Sequence, residues 1–217
     1  VFIRNRKGLR VARSEIPMLI AFGVIGFAIV NGLYFSAIER LNVSIALIIE
    51  FSAPIWIVLW MRFIKKRNVS KLMWSGLSIG FTGLLLVGQV WRGLTLDGVG
   101  LIYAFVDAFA LAFYFVVGER FVKAKGSEVT MALGFGVSAA FFAIVMPWWS
   151  FPFEIFTNSI ELTGRFAGNS LPGWLLVLWV IIGGTAVPYF LVLTGLKGLS
   201  AATSSVIGML EPVFGGV

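Results

Sequence analysis

Of the 217 residues, 59% are apolar and 12% charged, with a mean hydropathy of +0.97; soluble domains carry roughly 45–50% apolar and about 25% charged residues, so this is the composition of a membrane protein. The chain has neither Cys nor His, which removes disulfides, thiolate nucleophiles, Cys-ligated zinc and Ser-His-Asp catalysis. Its net charge of +7 sits in short turns between apolar runs, which fits lipid headgroups and orientation in a bilayer rather than nucleic acid.

In chain order, apolar runs of about 20 residues, the length of a membrane-crossing helix, fall at 17–36, 43–61, 72–91, 98–117, 130–149 and 174–196, with a seventh beginning at 201. Their continuous apolarity predicts helices, because barrel strands alternate and are about half as long. The first run holds Asn31 and Tyr34, which share a helix face. The second holds Glu50, four residues before Pro54; a proline leaves the carbonyl four positions back without its amide partner. In the third, Gly76 and Gly80 form a small-xxx-small pair for close helix packing within the bundle. The fourth places Tyr103, Asp107 and Tyr114 on one face, expected to line a cavity. Gly134 and Gly136 lack the strand and acid of a dinucleotide site, and no phosphate-binding Gly-Lys-Ser/Thr loop is present. Trp148, Trp149 and Trp174 fall at run ends, as interfacial aromatics do. The mixed-polarity stretch 150–171 is the longest loop, expected over the external mouth. The chain begins without Met and ends inside an apolar run, which reads as an interior stretch of a longer protein.

Charge sets the orientation. Arg4, Arg6, Lys7, Arg10 and Arg13 precede the first run. On the same side lie Arg62, Lys65, Lys66, Arg67 and Lys71, then Arg120, Lys123 and Lys125, then Lys197. Only Arg40, Arg92 and Arg165 of the 17 Lys and Arg fall on the other side. Lys and Arg concentrate in cytoplasmic loops, so residues 1–15 and the turns near 66, 123 and 198 are expected to be cytoplasmic.

The chain also repeats itself. Laying Pro54 over Pro212, a shift of 158 residues, aligns Gly26 with Gly184, Ala28 with Ala186, Leu33 with Leu191, Leu41 with Leu199 and Ile49 with Ile207. Each copy is an apolar run broken by a proline, with Glu50 or Glu211 close before it. An odd number of runs separates the copies, so they cross the membrane in opposite senses. Inverted repeats with interrupted helices near mid-membrane mark many secondary transporters.

The stretch NGLYFSAIERLNVSIALIIEFSAP, Asn31 to Pro54, resembles the third and fourth helices of the EamA-type drug/metabolite transporter superfamily. TAVPYFLVLTGLKGLSAATSSVIGMLEP, Thr185 to Pro212, is similar to its eighth and ninth. The elements carrying the resemblance include Asn31, Tyr34-Phe35, Glu50-Phe51 with Pro54, Pro188-Tyr189, and Met209 with Glu211-Pro212, and the nearest branch is the threonine/homoserine exporters. The resemblance implies an all-α polytopic inverted-repeat bundle of ten helices as five plus five. This chain would cover about helices three to nine, residues 1–91 closing the first repeat and 92–217 forming the second. It also implies the bacterial cytoplasmic (inner) membrane.

A carboxyl in mid-bilayer is costly and tends to face the bundle interior, where it carries function. The expected substrate-binding set is Asn31, Tyr34, Glu50, Asp107, Tyr114, Tyr189 and Glu211, with Pro54, Pro188 and Pro212 as helix breaks. Against this stand a structural role for the acids and plain packing for the rings. The reading is a secondary exporter of a small polar metabolite, an amino acid by resemblance, with Glu50 and Glu211 binding an amine or exchanging protons. The expected partners are the bilayer, the substrate and protons as candidate coupling ion, with no cofactor, no metal and no nucleic acid; the oligomeric state stays open. A drug or nucleotide-sugar carrier on the same fold, a non-transporting scaffold and a paired-acid intramembrane enzyme remain alternatives.

Overall fold

The computed structural model describes residues 10–88, 96–162 and 167–211. It is mostly helical, and five helices are long and apolar enough to cross a membrane: Arg13–Ile38, Val43–Ile64, Gly98–Lys125, Ser127–Val145 and Gly173–Gly195. A sixth apolar helix, Lys71–Val87, has 17 residues, which at 1.5 Å each reaches about 26 Å. The expected run 72–91 is thus seen to Val87, and residues 89–95 lie outside the described part.

The first span joins α1 (Ile16–Gly23) to α2 (Val30–Ile38) through a π-helical stretch, Val24–Ile29. The second is broken. Helix α3 (Val43–Glu50) stops, Phe51 and Ser52 turn, and α4 (Ala53–Leu59) resumes and runs on as a π-wound turn to Ile64. Then come α5 (Lys71–Val87), α6 (Gly98–Lys125) and α7 (Ser127–Val145). Only Gly126 separates α6 from α7, at φ 85, a left-handed conformation that glycine adopts without a Cβ penalty. The sixth span joins α8 (Gly173–Trp179) to α9 (Val187–Gly195) through a second π stretch, Val180–Ala186. Last is α10 (Ala201–Gly208).

The all-helical expectation needs one amendment. Within the loop 150–171 and the first residues after it, β1 (Ser159–Glu161) pairs antiparallel with β2 (Ser170–Pro172), Ile160 facing Leu171. A short ribbon satisfies backbone groups that a long loop would otherwise leave to water.

The repeat is visible in the backbone. Helices α3 and α10 have the same length, and their bounds differ by the 158-residue shift. Both are capped alike: the Asn42 side chain accepts from the Ser44 amide, and that of Ser200 from the Thr203 amide, relieving unpaired amides at the helix start. Both end in a two-residue turn, at 51–52 and 209–210. The two π stretches also fall in matching places.

Helix α6 is the hub, packing against α2, α3, α4, α7, α9 and α10. Its inward face supplies Tyr114, Phe121 and Val122 to a core with Phe22, Phe27 and Leu193, while Ala104 closes a tighter cluster of Ala37, Leu41, Ile45 and Ala46. The Gly76–Gly80 pair does lie inside the bundle: a Cβ on either would meet Val206 or Met209 around α10. Trp148, Trp149 and Trp174 are exposed at helix ends. The basic turns gather at one end of the bundle. There Lys125 pairs with Glu15 at 3.0 Å, and the Ala201 amide donates to Glu119 at 2.7 Å. At the other end Arg40 faces Asp97 at 3.7 Å.

Candidate functional site

The break in each copy of the repeat brings polar groups to a cavity of about 390 Å3 between α3, α6, α9 and α10. Glu50, the last residue of α3, and Glu211, just past the turn after α10, both line it. So do Tyr114, Pro188, Tyr189 and Ser204. The rest of the wall is apolar, including Phe51, Phe115 and Ile207. A mostly apolar pocket of this size with a few convergent polar groups is the usual form of a small-molecule site.

The two acids do not occupy equivalent positions. Under the repeat Glu50 matches Gly208, and Glu211 matches Ala53, so one acid precedes its break and the other follows. Both still reach the same space, because Gly208 carries no side chain there; the Phe51 ring comes nearest to it. The C-terminal end of α3 carries the partial negative charge of unpaired carbonyls. Beside Glu50, that makes a place where a cation is stabilised.

The expected proline breaks take a different form. The second span breaks at Phe51–Ser52, and Pro54 is buried in the first turn of α4, where its missing amide costs nothing. Pro188 likewise opens α9, but the span from Gly173 to Gly195 is continuous; the winding changes from π to α rather than stopping. Pro212 lies outside the described residues.

Asn31 and Tyr189 are the repeat's most direct contact. They are 158 residues apart, and the Asn31 amide donates to the Tyr189 hydroxyl at 2.8 Å. This bond joins two positions separated by the repeat's own shift. The same amide donates to the Phe27 carbonyl at 2.7 Å, within the first π stretch, whose wider winding leaves backbone acceptors to side chains. Rings complete the arrangement: Phe27 lies 5.0 Å from Tyr189 and 5.4 Å from Tyr114, and Tyr114 lies 5.6 Å from Tyr189, edge to face.

The stripe on α6 divides. Tyr114 reaches the cavity, with its hydroxyl buried and without a hydrogen-bond partner among the described residues. Asp107 does not line it, contrary to expectation. It is 1% exposed and neither carboxyl oxygen has a partner among the described residues. Its place is nearer the Ala104 cluster, where α2 and α3 close on α6. It remains within Coulombic range of Glu50. Tyr34 is half-buried and stands off the cavity wall, within the same range of Glu50, Glu211 and Asp107. Asn31 touches the site only through Tyr189. Ser204 was not anticipated; its hydroxyl is buried, unpartnered among the described residues, and on the wall. The hydroxyl run Thr203-Ser204-Ser205 in an otherwise apolar stretch was the available signal.

Among the described residues no cluster of three or more acids could hold a metal.

Comparison with known proteins gives a consistent picture. The EamA-like transporter family model matches residues 1–89 and 98–217. The chain is 23% identical over 205 residues to an uncharacterized inner membrane transporter, YicL, of Salmonella typhimurium, covering 93% of this chain and 63% of that one. It is 24% identical to the uncharacterized transporter YdfC of Bacillus subtilis, over 88% of this chain and 59% of the relative. It is 27% identical to the threonine/homoserine exporter RhtA of Escherichia coli K12, over 96% and 64%. The chain thus spans about three-fifths of the length of these relatives. A solved crystal structure with 20% identity superposes with a TM-score of 0.69, covering 98% of this chain and 68% of the other, which establishes the fold.

Proposed function

Since the chain belongs to the EamA-like transporter family, whose model takes in nearly all of it, we propose that it forms the substrate-handling part of a secondary exporter for a small amine-bearing metabolite, an amino acid in the first instance. The observation that carries this reading is the cavity in which Glu50 and Glu211 converge with the hydroxyls of Tyr114, Tyr189 and Ser204. Two carboxylates and the C-terminal end of α3 suit an ammonium group, and the hydroxyls suit the polar remainder of the molecule. Substrates named for the RhtA relatives, threonine and homoserine, have that chemistry and are the first to test.

Alternating access would come from exchange between the two copies of the repeat, residues 1–91 and 92–217, about the Asn31–Tyr189 contact. The basic end of the bundle faces the cytoplasm by the charge rule, and protons are the candidate coupling ion. Asp107, buried and without a partner among the described residues, is a second place a proton could be held, apart from the substrate acids.

The test is efflux of labelled amino acids from cells making the full-length protein, beside Glu50→Gln and Glu211→Gln variants. Outflow above background that either variant cuts by tenfold or more, with the variant still inserted, supports the reading. Outflow unchanged in the double variant overturns the role of the acids. No amino-acid outflow from the inserted wild type overturns the substrate class and turns the search to sugars and drugs.

A further inference from the structure

Away from the acid-lined cavity, two other depressions meet where the second span packs against α6. One is an apolar groove of about 610 Å3 walled by Trp56, Trp60 and Phe63 on the second span and by Phe109 and Phe113 on α6. It runs from the Trp56–Phe109 ring pair, 4.6 Å between centroids, toward Ile64 and Val117. The other is a cleft of about 320 Å3 lined by Lys65, Arg67 and Arg120, with Glu119 beside them. Ile57, Trp60 and Val116 belong to both, so the groove opens at one end into the cleft.

The cleft's cations are not neutralised. Glu119 is already engaged, by Lys123 and by the Ala201 amide, and Glu15 by Lys125. Among the described residues no carboxylate pairs with Lys65, Arg67 or Arg120. Lys66 reverses the chain at φ 51, and the Arg67 amide donates to the Met61 carbonyl at 3.0 Å. That bond folds Arg67 back over the helix end. The Lys65 ammonium sits 4.9 Å from the Trp60 ring centroid, a cation–π contact that leaves its donors free. One indole therefore borders both the apolar groove and the charged cleft.

A soluble anion would use the cations and leave the groove bare; an apolar helix would fill the groove and leave three cations unanswered. We propose that the composite site holds one anionic phospholipid, an acyl chain lying in the groove and the headgroup phosphate between Lys65, Arg67 and Arg120. The bilayer that surrounds the spans supplies such a lipid at the right depth, and juxtamembrane Lys and Arg attract anionic headgroups. This site rests on the chain crossing a membrane and is independent of the substrate.

Native mass spectrometry of the full-length protein, released from mixed phosphatidylglycerol and phosphatidylcholine vesicles, tests it. One phosphatidylglycerol should stay bound, retained several-fold over phosphatidylcholine. The Lys65→Gln/Arg67→Gln/Arg120→Gln variant should lose most of that several-fold preference. Ala112→Trp, which fills the groove, should lower retention of both lipids. Should the triple variant fail to fold, Arg67→Gln alone serves, with a smaller loss of the same sign. Equal retention of the two lipids, an unchanged preference in the charge variant, a second copy bound in place of lipid, or no lipid because another part of the protein fills the groove would each overturn the proposal.

Discussion

Asp107 is a carboxyl almost wholly buried, with no hydrogen-bond partner among the described residues. Such a group is expensive inside a membrane protein and persists where function keeps it. Asp107→Leu, which replaces the unpartnered carboxyl by an apolar side chain of similar shape, should therefore leave stability unchanged or raise it by about 1–3 kcal/mol while lowering transport, a trade typical of functional residues. Melting in detergent beside efflux checks both, and a large fall in stability would instead reveal a structural partner. The Asn31–Tyr189 bond is predicted to behave oppositely. Tyr189→Phe should cost about 0.6–1.7 kcal/mol, the range for hydrogen bonds between membrane helices. Adding Asn31→Ala should cost less than the sum of the two single changes, because both remove one interaction.

At the scale of elements, the closeness of α7 to the first span depends on two glycines: Gly23, where a Cβ would run into Val137, and Gly134. A Cβ on Gly134 would run into the Phe27 ring, whereas one on Gly136, two residues on, would meet nothing. Phe27 cannot easily yield, since it is buried against Phe22, Tyr114, Phe135 and Tyr189. Gly134→Ala should thus destabilise by about 1–3 kcal/mol through overpacking. Gly136→Ala should be neutral or slightly stabilising, by helix propensity. Thermal melting of the pair in the same detergent decides it. The matching π stretches, Val24–Ile29 and Val180–Ala186, are the other paired feature at this scale. Each lies directly before the helix that carries one partner of the Asn31–Tyr189 bond.

For the whole molecule, the prediction concerns which end of the bundle faces the cytoplasm. Lys125, Glu15, Glu119 and Ala201 meet at one end and Arg40 and Asp97 at the other, so each alternate turn shares a side. Because these 217 residues hold no Cys, a Cys introduced among them is the one thiol of this stretch. A membrane-impermeant maleimide added to whole cells should label Glu154→Cys and should reach Lys66→Cys only after lysis. The reverse pattern would invert the orientation and the direction of transport inferred from it.

Composition and run length were enough to establish a membrane-spanning helical chain and its spans, while the placement of Lys and Arg and a comparison of the chain with itself showed the alternating basic turns and the shift of 158 residues. These are properties read along one chain, and the bilayer imposes them residue by residue. The sequence also identified Glu50, Tyr114, Tyr189 and Glu211, four polar groups that the fold brings to one cavity. Only the tertiary structure decided that Asp107 stands off that cavity, that the second span breaks at Phe51–Ser52 ahead of Pro54, that the two acids flank their breaks on opposite sides, and that Ser204 joins the wall. The reason lies in the solvent. In water a helix shows its buried face as an apolar stripe, but in lipid the outward face is apolar too, so hydropathy reports where a helix crosses and not how it is turned. Rotation about each helix axis is set by packing between helices, and that is where the cavity's wall was chosen.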